Sequence, residues 1–102
     1  MKIVATDDVV EHVRARGGQV FVWPVDMVYG FGFERVFTLE ASTDSPGAER
    51  EFVTFRGEAF VVHYDPGDRG TPEEIHLRLT GRRRPALRAY WDGHSFSQRP
   101  NA

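Results

Sequence analysis

Imidazoles and carboxylates are the side chains of this chain best suited to holding a metal. His94 follows the Asp92-Gly93 turn, and a neutral imidazole in such a place can coordinate iron or zinc. Such ions take several protein ligands, so His94 would need Tyr, Asp or His partners from elsewhere. The competing account is an exposed turn histidine. His63 and Asp65 are two residues apart and so point to one face of a strand, where His76 joins them if its own strand is a neighbour. Alternation equally makes both histidines solvent-facing strand residues.

The densest charge is Arg82-Arg83-Arg84, with Arg88, Tyr90 and Trp91 behind it. Guanidinium groups beside aromatic rings can bind phosphate and stack a base. The alternative is a solvated basic hairpin turn that discourages sheet-edge association, with Trp91 in the core. Thirteen basic against fifteen acidic residues leave a net charge of −2. Without a global attractive field or a nucleic-acid-binding motif, the solvated turn is the favoured reading and nucleic acid is not the expected partner. Gly30-Phe31-Gly32 lacks the length and the following Lys-Ser/Thr of a phosphate cradle. Its neighbours Trp23, Met27, Tyr29, Phe31 and Phe33 suit an apolar pocket or a dimer surface, with core packing the simpler account. Tyr29, Phe31, Arg82, Arg83, Arg84 and Trp91 are thus the candidate ligand or partner surface.

No cysteine is present, which removes disulfides, thiolate nucleophiles and cysteine-held zinc or iron–sulfur sites. Ser42, Ser45, Ser95 and Ser97 lie in loop-like sequence without a nucleophile-elbow motif. Asp7-Asp8 and Glu73-Glu74 read as helix-start and strand-edge charges. The chain is therefore expected to be no enzyme, with no catalytic or cofactor-binding residue.

These residues sit in a chain of 102, long enough for one domain. Forty per cent apolar residues, with eight Phe, three Tyr and two Trp, are a globular composition. No run approaches the roughly 20 apolar residues that span a bilayer, and the opening lacks a basic segment followed by an apolar one. The expectation is a soluble cytoplasmic protein without a membrane partner, acting on an unidentified protein or on a second copy of itself.

The elements follow from periodicity. Lys2 to Ala5 suits a short strand, and Thr6-Asp7-Asp8 starts a helix with a hydroxyl cap and two carboxylates in its first turn. Val9, Val10 and Val13 share one side, and Gly17-Gly18 supplies a left-handed stop, placing the helix at 6–16. Gln19 to Val25 is apolar on both faces, as in a central strand covered on both sides, until Pro24 disrupts its ladder. A strand around Phe33, Phe37 and Leu39 follows, then a loop at Ser42–Gly47. EFVTFRGEAFVVHYD reads as a hairpin with strands at 50–55 and 59–64. Ile75, Leu77 and Leu79 alternate with Glu74, His76, Arg78 and Thr80, and Leu87, Ala89 and Trp91 alternate with Arg88 and Tyr90. One helix followed by six strands makes an α+β, mainly β domain. It is either a curled, mostly antiparallel sheet or a small β-sandwich, packed on its N-terminal helix.

The opening ATDDVVEHVRARGGQVFVW resembles the HesB-like family of A-type iron–sulfur cluster carriers, whose members begin with a strand, a capped helix and a glycine pair. FRGEAFVVHYD is similar to the family's hairpin, and PEEIHLRL and RAYWDG can be laid over the rest of that domain. Family members hold iron or a cluster through one upstream cysteine and two near the C-terminus. Here the upstream position falls near Val28-Tyr29-Gly30-Phe31, and Gly93-His94 supplies the one coordinating side chain in a comparable later place. The resemblance implies a HesB-like fold that has lost or changed its metal chemistry. Three functions follow as expectations: a non-enzymatic binding or accessory domain, a metal-binding protein using His94 and other non-cysteine ligands, and a weak nucleic-acid or phosphate binder acting through Arg82–Arg84.

Overall fold

The computed structural model describes residues 1–29, 34–47, 49–67, 70–81 and 83–91, with the backbone alone at 26–29 and 34–37. The chain runs β1 (Lys2–Ala5), α1 (Asp7–Arg14), β2 (Gln19–Tyr29), β3 (Glu34–Ser42), β4 (Val53–Arg56), β5 (Val61–Tyr64), β6 (Glu74–Thr80) and β7 (Ala86–Trp91). All seven strands join one sheet in the order β1-β6-β7-β3-β2-β5-β4. The sheet is mixed. The β1–β6 and β2–β5 pairs are parallel, and the other four are antiparallel. A single curled sheet, not a sandwich, is therefore the architecture. Laid flat, its edge strands would stand about 29 Å apart at ordinary strand spacing. Yet a methyl group added to Gly57, beyond β4, would lie 3.5 Å from Ile3 Cδ1 on β1. The sheet is rolled into a half-barrel whose edges approach each other.

The helix closes the concave side. Val9 and Val13 are fully buried together with Val20, Val22, Val62, Ile75 and Leu77, the inward positions of β2, β5 and β6. At its start the structure departs from simple capping. The Thr6 hydroxyl donates to Asp8 Oδ1, while the Thr6 carbonyl accepts from the Val10 N–H at 3.1 Å. Asp8 in turn accepts the Val9 N–H at 3.0 Å. The hydroxyl thus acts through a carboxylate instead of directly on the backbone, and its hydrogen bond is the main reason the Asp8 carboxyl is held below its usual range. At the other end the Gly18 N–H returns to the Val13 carbonyl at 3.0 Å.

Pro24 does not end β2, contrary to the sequence expectation. The strand continues to Tyr29 with Pro24 opposite Leu39. The reason lies in its neighbours. Val22 turns its backbone toward β5, since its carbonyl accepts the Asp65 N–H at 3.0 Å, and by strand parity Pro24 faces the same side. There β5 has already stopped at Tyr64, the partner of Val22. The missing N–H of proline therefore falls where no ladder bond is needed. No helix among the described residues is long and apolar enough to cross a membrane.

Candidate functional site

The helix α1 packs on the concave side, and among the described residues no helix or second sheet covers the outer face of β2, β5 and β4. Alternation places Phe21 and Trp23 there, opposite in direction to the buried Val20 and Val22, and both rings are half-buried. The Phe21 ring stacks on His63 of β5 with centroids 4.7 Å apart. Phe52, just before β4, meets Phe21 edge-on at 5.4 Å. The sequence reading of β2 as a strand covered on both sides is thus corrected: its outer rings shield one another side by side.

Both nitrogens of His63 are engaged. Nδ1 lies 3.0 Å from Thr54 Oγ1 and Nε2 lies 3.0 Å from Gln19 Oε1. The imidazole is therefore an oriented part of the aromatic cluster, with no nitrogen turned toward an empty coordination site. Asp65 is likewise committed. Its Oδ2 accepts from Arg50 Nη1 at 3.2 Å and its Oδ1 from the Gly67 N–H at 2.9 Å. The Arg50 guanidinium also lies over the Trp23 ring, 5.6 Å from its centroid. A shallow polar hollow of about 660 Å³ adjoins this pair, bounded by Arg50, Phe52, Val53, Asp65 and Pro66.

Tyr64 lies beneath, pointing inward between His63 and Asp65, and is buried. Burial raises its phenol above the ordinary value near 10, and the neighbouring Asp65 charge adds to the effect. A folded value above the unfolded one means the neutral phenol is favoured by folding. That contribution is complete below about pH 10 and is lost as pH rises through the folded value. We expect urea midpoints to fall more steeply above about pH 10 in the native chain than in Tyr64→Phe. Parallel pH profiles for the two proteins would refute this assignment.

The remaining sequence candidates are dispersed. His76 lies on β6, and β7, β3 and β2 stand between it and β5, so the neighbouring strands required for a His63–Asp65–His76 site do not occur. His76 Nε2 instead pairs with Glu74 Oε1 along its own strand. No group of three or more His, Asp or Glu suited to a metal occurs among the described residues. His94, Phe31 and Arg82 fall outside those residues, as does the Gly30-Phe31-Gly32 turn, and Tyr29 is described by its backbone at the end of β2, paired with Glu34. Arg83 and Arg84 are exposed in the β6–β7 turn. Trp91 lies at the other end of β7, about 17 Å along the strand from Ala86, and its ring packs against the core. The arginine turn and Trp91 therefore do not form one nucleotide-sized site. Tyr90 is on the outer face, 6.0 Å from the Arg78 guanidinium.

Sequence reasoning missed Phe21, Phe52, Arg50, Gln19 and Thr54 as members of a common surface. Phe21 alternating with Val20 and Val22 carried the signal. The others come together only through the parallel β2–β5 pairing and the β4–β5 hairpin. Compared with known proteins, the chain matches no family model, no curated protein and no solved structure.

Proposed function

We propose that this chain is a non-enzymatic binding or accessory domain of HesB-like fold, without a thiolate-held cluster, that engages a protein partner through the outer face of β2, β5 and β4. The observation that carries the reading is the strip of half-buried rings, Trp23, Phe21, Phe52 and His63, on a sheet face that no helix or second sheet among the described residues covers. Rings fixed in advance by stacking and hydrogen bonds lose little freedom on binding, which favours aromatic side chains as interface anchors. The HesB-like part of the reading is supported by the succession of short strand, acid-started helix, glycine pair and long strand over residues 2–29. The absence of cysteine supports the loss of cluster chemistry. Metal binding through His63 and His76 has no comparable support, because three strands separate them.

Metal and sulfide content, measured with an absorption spectrum on protein purified without oxygen and without a histidine tag, tests the proposal. A colourless protein without stoichiometric metal is expected, and a stoichiometric cluster or ion would overturn it. Sedimentation velocity then asks whether the partner is a second copy. A concentration-dependent dimer lost on Phe21→Ser with Trp23→Ser would make it so, whereas a monomer at every concentration would assign the face to a different protein.

A further inference from the structure

A second site lies where the rolled sheet fails to close, between β1 and the tight 57–60 turn that joins β4 to β5. The cavity there measures about 420 Å³, within the range of small-molecule sites. Ile3, Ala5, Val10, Ala59 and Phe60 supply apolar walls, and Lys2, Arg56 and Glu58 stand among the lining residues. Strand parity sorts these groups. Ile3 and Ala5 pair with the buried Ile75 and Leu77 and so face the core side, while Lys2 shares its direction with Glu74, on the opposite face. On β4 Arg56 shares its direction with Thr54, away from the core. The depth of the cleft is apolar and its mouth carries two cations against the single carboxylate of Glu58. Neither Lys2 nor Arg56 has an ion-pair partner among the described residues, and Glu74 is taken by His76.

The backbone adds a third element. The Lys2 N–H donates to Glu73 on the β6 side at 2.8 Å, so by alternation the N–H and C=O groups of Ile3 and Ala5 point away from β6. An added peptide strand along this edge would meet the 57–60 turn, because Gly57 approaches Ile3 closely. The opening therefore suits a compact ligand better than an extended chain.

We infer that this cleft binds a small amphipathic anion, with an apolar chain against Ile3, Val10 and Phe60 and an acidic head reached by Lys2 and Arg56. This site is independent of the aromatic face.

The test uses the full chain and octanoate as the probe, read by amide chemical shifts and calorimetry. Millimolar octanoate is expected to shift the amides of Ile3, Ala5, Ala59 and Phe60. Arg56→Gln combined with Lys2→Gln should weaken binding about tenfold, and the exposure of both side chains lets thermal unfolding confirm an intact fold. Ala59→Leu, which fills the cleft, should abolish the shifts. An octyltrimethylammonium cation should bind more weakly than octanoate. Absence of octanoate binding, equal binding of the cation, or shifts confined to Phe21, Trp23 and His63 would each overturn the inference. The last outcome would leave the aromatic face standing as a binding surface.

Discussion

Ile75→Ala should destabilise the protein by about 3–4 kcal/mol, near the middle of the range for truncating a fully buried Ile. Ile75 has no exposed surface and is among the largest fully buried side chains. It sits on β6 in register with Ile3 of β1 on one side and Trp91 of β7 on the other, in the core that includes Val9 and Val13 of α1. Three strands and the helix thus converge on one side chain, so the cavity has several rigid walls and little means of collapse. The edge strand β1 adds to the cost, because β6 is its one partner among the described strands. A domain of this size is stable by about 5–15 kcal/mol, so the loss is a large fraction of the whole and should lower the melting temperature by about 12–25 °C. Urea unfolding measures it directly. Val53→Ala on the other edge, at a side chain 47% exposed, should change stability by less than about 0.5 kcal/mol. Similar losses in the two variants would mean that the concave face of the sheet is not the stabilising core.

How much of this was legible beforehand depended on whether the governing interaction was local. The alternation of Ile75, Leu77 and Leu79 with Glu74, His76 and Arg78 foretold both β6 and its buried face, because a strand's period is a property of consecutive residues. The helix was legible for the same reason, from Val9 and Val13 to the glycine pair. Pro24 misled, since whether a proline breaks a strand depends on which neighbour needs its N–H, and the pairing with β5 ends at Val22, two residues before it. The parallel pairs β1–β6 and β2–β5 join segments far apart in the chain and leave no local trace. The aromatic site inherits that limit. Phe21 and His63 are direct cross-strand partners, but only the parallel pairing makes them so, and Arg50 reaches Trp23 from a segment outside any strand. The arginine turn was legible as a turn. Its separation from Trp91 followed from the length of β7, which turned two sequence neighbours in composition into opposite ends of a strand.

Gly81→Ala should destabilise the β6–β7 hairpin by about 2–3 kcal/mol, because it combines two faults that usually occur apart. Gly81 has φ of +92°, a backbone region that side chains rarely occupy, and an added Cβ would lie 2.8 Å from the Arg84 carbonyl oxygen. The obstacle is backbone within the same short connection, so it moves only if the turn itself deforms. That turn sets the register of Thr80 against Ala86 and of the pairs behind it, as far as Ile75 against Trp91. Gly17 separates the two faults. Its φ is +113°, yet nothing lies within 4 Å of an added Cβ, so Gly17→Ala should cost about 1–2 kcal/mol from the dihedral alone. The excess in Gly81→Ala over Gly17→Ala, from urea unfolding of both variants, measures the collision with Arg84. Hydrogen exchange locates it: protection should fall along β6 and β7 in Gly81→Ala and remain native there in Gly17→Ala, whose strain lies after α1. Equal losses in the two variants would show that the 81–85 turn yields freely and that the register of β6 on β7 is held by the buried contacts of Ile75, Leu77 and Ala89 instead.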